Sequence, residues 1–131
     1  MTWLAKYLAS SYRDGGRELP FVDCYGLVRL VRQEVFGKGD LPAFGHVRNT
    51  MPAEFTRCVK QAATEFEECR PGPGAIATVW RGRICVHIAI VVEIDGRLAV
   101  LDTGSKTGPS WSTVARFESR FARVVYYREK P

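Results

Sequence analysis

The sequence has little that would place it in a membrane, on nucleic acid or around a compact zinc site. No apolar run approaches the ~18 residues of a spanning helix, so no membrane span is predicted. The four cysteines, Cys24, Cys58, Cys69 and Cys85, include no C-x-x-C pair, the spacing that most often marks structural zinc or a dithiol redox centre. Basic residues exceed acidic ones by 19 to 14, but they are scattered and form no arm of the kind that grips nucleic acid, so no nucleic-acid partner is expected. The resulting charge of +5 weakly favours anionic polymers. The N-terminus shows neither a long apolar h-region nor an A-x-A cleavage site, which predicts synthesis in the cytoplasm without a signal peptide and with reduced thiols. Internal repeats and low-complexity tracts are also lacking.

What is present is an ordinary globular composition over 131 residues, enough for a single domain spanning 1–131 with one sizeable core. Trp3 to Ser10 has the makings of a short helix, followed by a loop with Gly15, Gly16 and Pro20. From Cys24, apolar residues recur at Leu27, Leu30, Val31 and Val35 in helical spacing. Asp23 stands where an N-cap belongs and Gly37 where such a helix stops. Residues 38–50 read as a loop. A second helix is predicted from Pro52 to Cys69, with Thr50 near its start and Pro71 beyond its end. That helix would hold Cys58 and Cys69 three turns apart, too far to bridge. The remainder reads mainly as antiparallel strands: 75–80, 84–93 and 97–102, then a loop through 103–110, a short helix near 112–121 and a last strand at 122–128. Helices first and strands after predict an α+β domain, with N-terminal helices packed on an antiparallel sheet.

Three residues carry chemistry. Cys24 opens its helix, where unpaired backbone N–H groups and the helix dipole favour a thiolate. Asp23 beside it opposes that charge. The alternative for Cys24 is a buried thiol packing as a small hydrophobe. Strand periodicity puts Cys85, His87, Ala89 and Val91 on one face and Ile84, Val86, Ile88, Ile90 and Val92 on the other. If Asp95-Gly96 is a two-residue hairpin loop, Asp102 falls opposite Ala89. It is then diagonal to His87 on the same face, within reach of the imidazole. A histidine able to take a thiol proton through one nitrogen, while a carboxylate orients the other, is the arrangement of nucleophilic catalysis.

These residues resemble the NlpC-type cell-wall peptidases, a papain-like family of cysteine hydrolases, and in particular the branch found in phage tails. Tyr12-Arg-Asp-Gly15-Gly16 resembles the family's Tyr-x-x-Gly-Gly loop, and Asp23-Cys24-Tyr25-Gly26-Leu27-Val28 its nucleophile motif. The continuation RLVRQEVFG…LP is similar to the phage members, as is the C-terminal Tyr-Tyr-Arg. Pro73-Gly74 opens the strand pair as in the family, and His87-Ile88-Ala89-Ile90 resembles its histidine strand. The chain differs where the family often has His at the third position, here Asp102, Gly at Ala89, and Asp at Ala75.

The resemblance implies a papain-like fold in which Cys24 attacks a peptide carbonyl and His87 serves as base and then acid. Asp102 would orient the histidine, and Tyr12 would help to stabilise the oxyanion. The implied substrate is the stem peptide of peptidoglycan, cut after D-glutamate, with no metal or cofactor. The implied setting is a virion tail acting in the periplasm or cell wall, with tail-tip proteins as partners. Two relatives of this reading are a non-catalytic tail-tip assembly module of the same fold and a secreted amidase-type toxin. Residues 101–105, Leu-Asp-Thr-Gly-Ser, also resemble an aspartic-protease loop, but that chemistry needs two such carboxylates and therefore a dimer. A zinc hydrolase could use Cys24, Cys85, His87 and Asp102, and Cys85 and His87 share a predicted face, but no compact zinc spacing is present.

Overall fold

A computed structural model describes residues 2–39, 41 and 51–131. Three helices precede the main sheet: α1 (Thr2–Leu8), α2 (Cys24–Glu34) and α3 (Pro52–Ala63). Between α1 and α2, three two-residue strands, β1 (Ser11–Tyr12), β2 (Arg17–Glu18) and β3 (Phe21–Val22), form a small sheet in the order β1-β3-β2. The main sheet is built from β4 (Phe66–Cys69), β5 (Ile76–Arg81), β6 (Ile84–Ile94), β7 (Arg97–Gly104), β8 (Gly108–Thr113) and β9 (Arg123–Glu129), with α4 (Val114–Ser119) inserted before the last strand. Its order is β4-β9-β5-β6-β7-β8, antiparallel throughout. The α+β architecture is therefore the expected one. Among the described residues no helix is long and apolar enough to cross a membrane.

The sheet separates two apolar clusters. Alternate residues Ile88, Ile90 and Val92 of β6, with Ala99 and Leu101 of β7, pack with Leu27, Val28 and Val31 of α2 and Phe55 and Val59 of α3. The intervening residues Ala89, Val91 and Val100 meet Phe117 of α4 and Tyr126 of β9. Both faces of the central strands are thus covered, which is why β6 reads as a nearly continuous apolar run. Asp95 (φ 52°) and Gly96 (φ 77°) both take positive φ, as a two-residue type I′ turn requires. That turn pairs Ile94 with Arg97 and Ile90 with Leu101, the register on which the proximity of His87 and Asp102 depends.

α2 begins and ends as its residues indicate. The Asp23 carboxylate caps it by accepting from the Gly26 N–H at 2.8 Å. At the other end Gly37 (φ 62°) lets the chain turn back, its N–H donating to the Gln33 carbonyl and that of Lys38 to Arg32. The buried Arg32 guanidinium reaches Glu129 on β9, tying this helix to the last strand.

Three expectations are corrected. α3 stops at Ala63 instead of running to Cys69, because residues 66–69 pair with β9 and supply the outer strand of the sheet. Phe66 packs against the core from that strand, a tertiary gain that helical propensity does not register. Cys58 and Cys69 therefore lie on different elements, and all four cysteines are free thiols. The 103–110 loop and the start of the short helix are instead a hairpin: β7 continues to Gly104, β8 runs to Thr113, and α4 occupies only Val114–Ser119. Lastly, β6 carries a bulge opposite Val79 and Trp80. It moves Cys85 into the helix-side cluster and Val86 to the other one, reversing the predicted faces of these two residues. The Cys85 N–H is taken by Thr56 Oγ1 of α3 at 3.0 Å. Thr50 and most of the 38–50 loop lie outside the described residues.

Candidate active site

α2 packs on β6 and β7 and brings Cys24, with 1% of its surface exposed, to the side chain of His87. The same imidazole bonds through Nε2 to Asp102 Oδ2 at 2.9 Å, which leaves Nδ1 for the thiol. Burial pushes the imidazolium down, but hydrogen bonds and charge from Asp102 and Cys24 outweigh it and lift His87 to about 9. A histidine so placed holds its proton at neutral pH when it faces a thiolate. Asp102 is itself buried, at 5% exposure.

The carboxylate next to Cys24 is well neutralised. Arg17 Nη1 lies 2.8 Å from both Asp23 oxygens, and the N–H groups of Gly26 and Gly15 donate to them at 2.8 and 3.1 Å. Four charge-assisted contacts absorb the negative charge that would otherwise oppose a thiolate on Cys24. Arg17 also stacks over the Tyr25 ring, 5.0 Å from its centroid. Replacing it with Met is expected to strand the Asp23 carboxylate, whose side chain is 1% exposed. The expected costs are ~2–4 kcal/mol of stability in urea melts and slower alkylation of Cys24.

The glycines of this region serve packing between backbones. A Cβ on Gly26 would lie 2.2 Å from the Gly16 carbonyl oxygen, and one on Gly16 would lie 2.6 Å from that of Phe21. Gly26 therefore makes room for the chain at Gly16 and Arg17.

Tyr12 pairs with Val22 in the small sheet, and its hydroxyl donates to Asp14 Oδ1 at 3.1 Å. Burial, the Asp14 bond and the charges of Asp14, Cys24 and Asp23 all raise its pKa, so it remains a protonated donor. It does not join the aromatic pair formed by Trp3 and Tyr7, whose centroids are 6.2 Å apart. The other cysteines stand apart from this chemistry. Burial pushes Cys85 up to about 12 and raises Cys58 and Cys69 as well. With Cys85 turned to the opposite face from His87, the two do not share the side that a zinc site would need.

Two neighbours had no signal in the sequence. Phe121 places its ring 6.1 Å from that of His87, and Arg120 Nη1 is 3.9 Å from Asp102 Oδ2. Arg17 had a faint signal, as the residue that follows the Tyr-x-x-Gly-Gly loop.

With this geometry in view, one solved structure is informative: the NlpC/p60 domain of the peptidoglycan hydrolase SagA. It is 15% identical to this chain, covers 96% of it and 92% of its own length, and superposes with a TM-score of 0.59. The fold is that of an NlpC/p60 domain. No family model and no curated protein matches the sequence.

Proposed function

We propose that the chain is a cysteine peptidase that cuts peptide bonds in peptidoglycan stem peptides. The observation that carries this reading is the meeting of Cys24, His87 and Asp102 at the start of α2, with His87 bonded to Asp102 at 2.9 Å. The NlpC/p60 fold, seen in a protein described as a peptidoglycan hydrolase, supports the choice of substrate.

In this mechanism the thiol proton passes to His87, and Cys24 Sγ attacks the scissile carbonyl carbon. The oxyanion forms at the positive end of α2, with the Tyr12 hydroxyl turning from Asp14 to donate to it. His87 then protonates the departing amine as the C–N bond breaks, leaving a thioester on Cys24. Water attacks that thioester with His87 as base, and the acid product leaves with the thiol restored. Asp102 holds the ring orientation throughout.

The resemblance to the NlpC-type family adds cleavage after D-glutamate. That of the nucleophile helix and C-terminal ending to phage-tail members adds a working place on a virion tail that reaches the periplasm or cell wall, beside tail-tip proteins.

The test is digestion of purified peptidoglycan by the reduced protein, with the fragments identified by mass. New stem fragments ending in D-glutamate are the expected result. Intact material, from a folded protein whose Cys24 alkylates readily, would favour the non-catalytic tail-tip assembly module.

A further inference from the structure

On the α4 side of the sheet, His87 and Asp102 are backed by residues that follow Phe117. The Arg120 guanidinium lies over the Phe117 and Phe121 rings, 5.6 and 4.9 Å from their centroids. Those two rings pack 5.0 Å apart, and Phe117 is wholly buried. The residue is anchored as the C-cap of α4, its backbone N–H returned to the Glu118 and Phe117 carbonyls. From this platform Nη1 reaches Asp102 Oδ2 at 3.9 Å, the same oxygen that His87 Nε2 meets at 2.9 Å.

We propose that Arg120 is a positioning residue that acts on His87 through Asp102. The inference rests on the reading of Cys24 and His87 as nucleophile and base. Convergence of a guanidinium and an imidazole on one oxygen fixes the carboxylate's rotation, so that Oδ2 faces Nε2. It also divides the carboxylate's charge between two cations. Among the described residues, the charged and titratable groups around His87 are Cys24 from α2, Asp102 from β7 and Arg120 from α4. Tyr12 lies farther out, within reach of the charges of Cys24 and Asp23. β5 contributes only Val79 opposite the histidine. Arg120 is thus the one cation of this set that opposes protonation of His87.

The sign follows. Loss of Arg120 leaves the whole charge of Asp102 to the imidazolium, so His87 holds its proton to higher pH. Arg120 is 42% exposed, so the effect is partly screened: ~0.5 pH unit at low salt, shrinking as salt is added.

The experiment follows the His87 ring by NMR and the alkylation of Cys24 by iodoacetamide, resolved by peptide mass, from pH 5 to 10.5. Neither readout requires a substrate. Arg120→Gln is expected to raise the alkaline midpoint in both, and Arg120→Lys to restore it. Arg120→Met keeps the stem's packing on the rings and serves if the Gln variant fails to fold. An unchanged midpoint in a folded, charge-free variant would overturn the role of Arg120. A parent protein in which Cys24 and His87 titrate without linkage would instead overturn the nucleophile–base reading on which it rests.

Discussion

Cys24→Ala is expected to reduce stem-peptide hydrolysis by at least ~10⁴-fold, because removing a covalent nucleophile leaves only binding and oxyanion stabilisation. The fold is expected to survive. The substitution deletes one sulfur from a buried position, a change on the order of 1 kcal/mol. The remaining thiols offer no bypass, since burial raises Cys58 and Cys69 and carries Cys85 to about 12. Cys85→Ala is therefore the matched control. It removes an equally buried thiol, yet is expected to keep most of the activity. The measurement is the initial rate of fragment release, with a urea melt for each variant. More than about 1% residual activity in a folded Cys24→Ala protein would mean that another group attacks the carbonyl.

How far the sequence reveals this site depends on the range of the interaction concerned. Asp23, Cys24 and Gly37 fix the limits of α2 through contacts within a few residues, and all three are legible. The Asp95-Gly96 turn is equally local, and it sets the register that carries Asp102 to His87. Where the outcome depends on distant segments, periodicity misleads. Residues 66–69 follow a helical run without a break, yet they become a strand because β9 offers an edge to pair with. The bulge at Val86 is similar. Nothing in the alternation of 84–93 marks it, and the N–H of the preceding Cys85 donates to Thr56, 29 positions earlier. Arg120 and Phe121 lie outside any motif, and only the packing of α4 brings them behind His87. The concern that Asp23 would oppose a thiolate was sound as local chemistry. It is answered by Arg17, which the small β-sheet folds back onto the carboxylate.

That small sheet makes Gly26→Ala the second large effect, and the reason is steric rather than chemical. In an isolated helix the change would help, since Ala is favoured over Gly by ~1 kcal/mol. Here the new Cβ would sit 2.2 Å from the Gly16 carbonyl oxygen and 3.1 Å from Arg17 Cα. Both are backbone atoms, so no side-chain rotation relieves the overlap. Either β2 or the first turn of α2 must move. The Gly16 carbonyl also accepts from the Asp23 N–H at 3.1 Å, so its displacement disturbs the cap, the Arg17 pair and the position of Cys24 together. The expected cost is on the order of 3 kcal/mol, accompanied by a drop of ~10²-fold or more in hydrolysis as the nucleophile shifts from His87. Urea melts and initial rates on the same preparation check both halves. A Gly26→Ala protein as stable and as active as the parent would mean that the loop at Gly16 yields freely, and that the alignment of Cys24 with His87 does not depend on it.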